Sequence, residues 1–154
     1  MDENKEELKQ LITKQQKEEL IDKEYNEFVR DLITSSDSFI INRPLFGTHS
    51  ILAGYPWFLD WGRDSLIAFE GLLLITKRFD LAREILLTFT KDIKCGLVPN
   101  TYSEADHEPL YNSVDASLLL FEQVYKYLKY TGDKQFVKKE LYKTMKGVIR
   151  AYQN

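Results

Sequence analysis

The 154 residues are enough for one domain with a buried core and too few for two ordinary ones. A net charge of −3, with no long basic stretch, argues against nucleic acid and anionic membranes as partners. The lone Cys95 excludes an intrachain disulfide, and no apolar run approaches a bilayer span or a signal-peptide core, so a soluble, cytoplasmic chain is expected.

The first element is a helix from near Glu3 to Ile33. Leu20, Ile21, Tyr25, Phe28, Val29, Leu32 and Ile33 recur at three- and four-residue spacing and share one face. Ser35-Ser36-Asp37-Ser38 ends it. Phe39-Ile40-Ile41 is β-like and Asn42-Arg43-Pro44 a turn. From Pro44 to Arg63 two prolines and three glycines predict loop, with room for a short strand pair.

From Asp64 the chain turns helical. Leu66 to Ile75 is apolar almost all round, which predicts burial on every side. The next helix, about Leu81 to Ile93, is amphipathic, with Gly96 suited to its C-cap. Leu97 to Tyr111 is read as loop. A helix from about Ser113 to Tyr130 is again apolar through its first half. Thr131-Gly132-Asp133 is a tight helix–helix turn, and a last amphipathic helix carries Phe136, Val137, Leu141, Met145, Val148 and Ile149.

This alternation of apolar and amphipathic helices predicts concentric layers rather than an ordinary bundle. The expected fold is all-α: part of an α/α toroid of helical hairpins, with a short extended segment around 39–58. No sequence repeat supports a solenoid. The long loops 44–63 and 97–111 both precede an inner helix, so they gather at one end, where a site belongs. Residues 1–38 read as a helix leading into the barrel and 39–154 as the first portion of a larger domain. Uncovered inner helices predict self-association.

The chemistry-bearing run is Ala53-Gly54-Tyr55-Pro56-Trp57-Phe58 followed by Asp60-Trp61-Gly62-Arg63-Asp64. Aromatic faces suit the C–H faces of a sugar, and the charged groups suit its hydroxyls. Asp64 opens a helix, where a plain capping role competes with a binding one. Asp115 stands at a second helix start, in Tyr111-Asn112-Ser113-Val114-Asp115-Ala116-Ser117, where Asn112 or Ser113 already supplies a cap. A helix N-terminus lowers a carboxyl pKa, whereas a general acid needs it raised. Asp60 and the Glu104–Glu108 carboxylates read as solvated, Cys95 as a packing residue, and His49 and His107 as isolated. No metal-ligand spacing, phosphate loop or nucleophile elbow is present, so neither metal nor cofactor is expected.

The segments Ala53–Phe58, Trp61-Gly62-Arg63-Asp64, Gly96-Leu97-Val98-Pro99-Asn100 and Tyr111–Ala116 resemble, in order and spacing, motifs of the glycogen debranching enzyme (amylo-α-1,6-glucosidase) family. The resemblance covers Phe39 to the C-terminus. It implies an (α/α)6 barrel that hydrolyses α-1,6-linked glucose at branch points of glycogen or a similar branched α-glucan, by an inverting two-carboxylate mechanism. It further implies that Asp115 is the general acid, and that Trp57, Trp61, Arg63, Asp64, Asn100 and Tyr111 bind substrate. The general base is expected beyond Asn154, which would leave this chain alone inactive. Two positions depart from the pattern: Leu119 stands where tryptophan is expected and Glu70 where proline is expected. The alternatives are a non-catalytic carbohydrate-binding or helical interaction protein, and a trehalase- or glucoamylase-like hydrolase.

Overall fold

The computed structural model describes residues 23, 25–43, 47–55, 58–103 and 108–153. The chain divides into two units, Met1–Asp37 and Ser38–Asn154. In the first, residues 25–36 form helix α1, with Tyr25, Phe28, Leu32 and Ile33 on one face. The earlier part of the expected helix falls outside the described residues.

The second unit is mostly helical. It opens on a hairpin in which β1 (Ile40–Arg43) pairs antiparallel with β2 (Thr48–Ile51), Ile40 opposite Ile51. This is the extended segment that the sequence places around 39–58. The backbone N–H of His49 donates to Glu84 Oε1 at 2.5 Å, tying β2 to a later helix. Helix α2 (Gly62–Phe69) runs into a π-helical turn, Glu70–Leu74. Helix α3 (Phe79–Lys91) follows, and then a second hairpin of β3 (Thr101–Tyr102) and β4 (Pro109–Leu110). Helix α4 spans Asp115–Thr131. A short α5 (Lys134–Phe136), a π-turn (Val137–Leu141) and α6 (Tyr142–Gln153) complete the unit.

α2 packs along α4, while α3 lies against α4, β2 and the π-turn after α2. Their shared core contains Leu66, Phe69 and Leu73 from the α2 segment, Ile85 and Leu86 from α3, and Leu120, Val124 and Tyr127 from α4. Each such side chain, fully buried, contributes about 1.5–3 kcal/mol of hydrophobic stabilisation. Tyr127 also meets Phe136 edge-on, with ring centroids 5.5 Å apart. Gly132 ends α4 with φ +69° and its N–H on the Leu128 carbonyl, a left-handed cap at the place where the sequence predicts a tight helix–helix turn.

Three expectations are corrected. Leu66 to Ile75 is not buried on every side: Ile67 and Ile75 are each 61% exposed, and Leu118 on α4 is 56% exposed. Apolar composition marks a helix surface that wants cover, without saying that this chain supplies it. Gly96 does not cap α3, which ends at Lys91. Instead Cys95 (φ +51°) and Gly96 (φ +80°) form the centre of a two-residue hairpin turn closed by Lys94 and Leu97. Cys95 is accordingly exposed rather than packed.

Candidate active site

The start of α2 is assembled by a distant residue. Its N-cap, Trp61, offers no side-chain bond to the free N–H groups of the first turn. Asn100 replaces it from across the chain: its backbone carbonyl accepts from Gly62 N–H at 2.5 Å, and its Oδ1 accepts from Arg63 N–H at 3.0 Å. This approach needs a glycine at 62, because a Cβ there would lie 2.5 Å from the Pro99 carbonyl oxygen. Asn100 also donates from Nδ2 to Asn112 Oδ1 at 2.9 Å, joining the start of α2 to the chain that enters α4.

At that entry, Ser113 Oγ accepts from Ala116 N–H at 3.3 Å and donates to Asp115 Oδ1. The cap that the sequence assigns to Asn112 or Ser113 is made by Ser113. Asp115 is thereby free to use its second oxygen: Oδ2 lies 2.9 Å from Arg63 Nε. Two motifs some fifty positions apart meet in this ion pair, whose side chains stay 57% and 44% exposed. The Ser113 hydroxyl bond holds the Asp115 carboxyl below the usual carboxylate range. The Arg63 charge and backbone N–H groups at the helix start add to this, and partial desolvation opposes it. Because the folded pKa is lowered, the pair steadies the fold at neutral pH. It is expected to open only as pH falls below the ordinary carboxyl value of about 3.9, through the lowered folded pKa. A carboxyl-carbon NMR titration that places the Asp115 midpoint at or above the ordinary value would contradict this.

Asp64 is one residue further along α2. Since Asn100 caps the helix, Asp64 has no capping task, and among the described residues its carboxylate makes no side-chain hydrogen bond or ion pair. It borders an open cleft of about 330 Å³ whose other walls, including Phe39, Leu52, Ile67 and Leu72, are mainly apolar.

The expected ligand residues thus separate into groups. Arg63 and Asp115 are in contact, and Asp64 follows Arg63 on the same helix turn. Trp61 is half-buried at the N-cap position. Asn100 and Tyr111, expected to line the pocket, spend their polar groups on the protein. Asn100 is 5% exposed with both ends of its amide engaged, and the Tyr111 hydroxyl donates to the Asp92 carbonyl at 2.6 Å. Trp57, together with Glu104, Asp106 and His107, lies outside the described residues. The loop that carries Trp57 is closed at its base by the Gly54–Phe58 bridge, and Tyr55 OH donates to the Ser38 carbonyl at 2.7 Å.

Asp60 is also corrected. It accepts from Arg43 Nη1 at 2.5 Å and Ser50 Oγ at 2.8 Å and anchors the aromatic loop to the β1–β2 hairpin. Glu70 pairs with Lys126 Nζ at 2.8 Å and accepts from Tyr130 OH at 3.1 Å, a polar tie between the α2 segment and α4. Leu119 packs against the core. Ser113 and Asn112 had a sequence signal, as cap formers. The capping of α2 by Asn100 had none.

A sequence profile described as amylo-alpha-1,6-glucosidase matches residues 34–154. The chain belongs to that family. The glycogen debranching enzyme of Saccharomyces cerevisiae (strain ATCC 204508 / S288c) is 38% identical to it over 96 residues, 59% of this chain and 6% of the yeast protein. The residues matched to the amylo-alpha-1,6-glucosidase family take in the loop before α2, α2 itself, the Asn100 segment and the start of α4. Among the described residues no group of His, Cys, Asp and Glu side chains is placed to hold a metal, and no helix is long and apolar enough to cross a membrane.

Proposed function

We propose that the rim formed by Arg63, Asp64 and Asp115 binds a glucose unit of glycogen or a similar branched α-glucan. In this reading Asp115 gives its proton to the α-1,6 glycosidic oxygen as the bond breaks with inversion. The observation that carries it is the 2.9 Å Arg63–Asp115 pair, which unites the two carboxylate-bearing motifs at one exposed edge. The Asp64 carboxylate, which has no side-chain partner among the described residues, supplies acceptors for sugar hydroxyls. Trp57 and Trp61 are proposed to offer aromatic faces, while Asn100 and Tyr111 support the rim from beneath. The segment is taken as part of an (α/α)6 toroid working in the cytoplasm.

The depressed Asp115 pKa must be reversed for acid chemistry. A sugar seated on the rim removes water from the carboxyl and draws Arg63 toward its hydroxyls, and both changes raise that pKa. Inversion further requires a second carboxylate to activate water. Asp115 cannot do both tasks and Asp64 is assigned here to the sugar hydroxyls, so residues 1–154 alone are proposed to bind glucan without cleaving it at enzymatic rates.

The same lowered pKa favours a second reading, a carbohydrate-binding module in which Asp115 stays ionised and only accepts hydrogen bonds. Binding is common to both readings and is tested first. Isomaltose, or a short α-1,6-branched oligosaccharide, titrated into the protein should shift NMR resonances of Arg63, Asp64 and Asp115 together. Shifts confined to other surfaces, or none at saturating sugar, would remove the basis for either.

A further inference from the structure

We propose that Asn100 is a positioning residue for the Arg63–Asp115 pair: one buried side chain holds both the helix that carries the arginine and the turn that carries the carboxylate. The claim deepens the reading above and rests on it for catalytic meaning, but its geometry stands alone. Oδ1 of Asn100 accepts from Arg63 N–H at 3.0 Å, and Nδ2 donates to Asn112 Oδ1 at 2.9 Å. Asn112 immediately precedes Ser113, whose hydroxyl bonds Asp115.

The Asn100 backbone is fixed as well. Its carbonyl takes Gly62 N–H at 2.5 Å, and its own N–H donates to the Leu110 carbonyl at 2.9 Å. At 5% exposure, and with each of its polar groups already in a hydrogen bond within the protein, Asn100 acts on the pair from beneath. What it offers is distance control. Arg63 can lie 2.9 Å from Asp115 only while the start of α2 and the start of α4 keep their spacing, and the Asn100 amide spans that gap.

The test is the carboxyl titration of Asp115, followed by NMR in the unliganded protein. Arg63 is the charged side chain that the described residues bring against this carboxylate, so Arg63→Gln should raise its midpoint. Asn100→Ala should raise it in the same sense, by about half a pH unit or more. Asn112→Ala, which removes one anchor and retains the cap on α2, should raise it by less.

An Asn100 that merely stabilised the fold would lower the melting temperature and leave the Asp115 titration at its wild-type midpoint. That result in a folded Asn100→Ala protein overturns the proposal, as does an unmoved midpoint in Arg63→Gln. If Asn100→Ala does not fold, Asn112→Ala decides, and a wild-type midpoint there also overturns it. None of these samples contains glucan. Failure of the glycosidase reading, seen as unchanged turnover in Asp115→Asn, would therefore leave the titrations standing, and the reverse holds too.

Discussion

Replacing Asp115 by asparagine, in an active amylo-α-1,6-glucosidase that carries this segment, is expected to slow glucan hydrolysis by about 10²–10⁴-fold. That loss is about 3–5 kcal/mol of barrier, the range of a missing general acid. Asparagine keeps the shape of the side chain and its bond from Ser113 but has no proton to give. It also removes the partner charge of Arg63, which is half-exposed and can turn to water. Glucan binding should therefore change by only a few fold, and the loss should fall on kcat rather than KM. Substrates with a good leaving group, which need little protonation, should lose far less. Equal losses on both substrate types, or unchanged turnover on glycogen, would take the acid role from Asp115 and return the chain to the binding-module reading.

The second large effect concerns the fold. Gly62→Ala is expected to destabilise by about 2–4 kcal/mol in urea unfolding. In an ordinary helix alanine is favoured over glycine by about 1 kcal/mol, so helix propensity pushes the other way. It is outweighed here because the added Cβ would meet the Pro99 carbonyl oxygen at 2.5 Å and Asn100 Cα at 3.3 Å, both backbone atoms with little room to give. Relief requires the Pro99–Asn100 segment to withdraw. That withdrawal stretches the Gly62 N–H bond to the Asn100 carbonyl and the Arg63 N–H bond to Asn100 Oδ1. Gly147→Ala is the matched control: it lies within α6, an added Cβ meets nothing within 4 Å, and a gain of about 0.5–1 kcal/mol is expected. If Gly62→Ala proved as stable as the parent, the close approach of Asn100 to α2 would not exist as described, and the positioning of Arg63 would have to be sought elsewhere.

The sequence was most legible where periodicity and composition act locally. Apolar spacing identified α2, α3, α4 and the final helical stretch, and Gly132 marked the turn between α4 and α5. The pairing of Ile40–Arg43 with Thr48–Ile51 was half visible, because Phe39-Ile40-Ile41 is strand-like whereas Thr48-His49-Ser50-Ile51 has no period-two contrast. β3 and β4 are two residues each, too short for any pattern to register. The π-turns at Glu70–Leu74 and Val137–Leu141 leave helical periodicity almost unchanged and were invisible.

At the site, residue type was legible and direction was not. Aspartate, arginine and tryptophan near two helix starts indicated sugar chemistry. Asn100 had the right type for a ligand, and only the fold turns its amide inward. Asp60 looked solvated because its partners Arg43 and Ser50 belong to a hairpin formed earlier in the chain. Ile67, Ile75 and Leu118 show a further limit: sequence reveals that a surface is apolar, and packing decides whether it is covered.

The most direct test of the glucose rim is a crystal structure of the protein soaked with an α-1,6-linked glucose oligosaccharide. A glucosyl unit should sit with its hydroxyls on Asp64 and Arg63 and its glycosidic oxygen within about 3 Å of an Asp115 carboxyl oxygen. Sugar seated on another face, or an Asp115 turned away from an occupied rim, would contradict it.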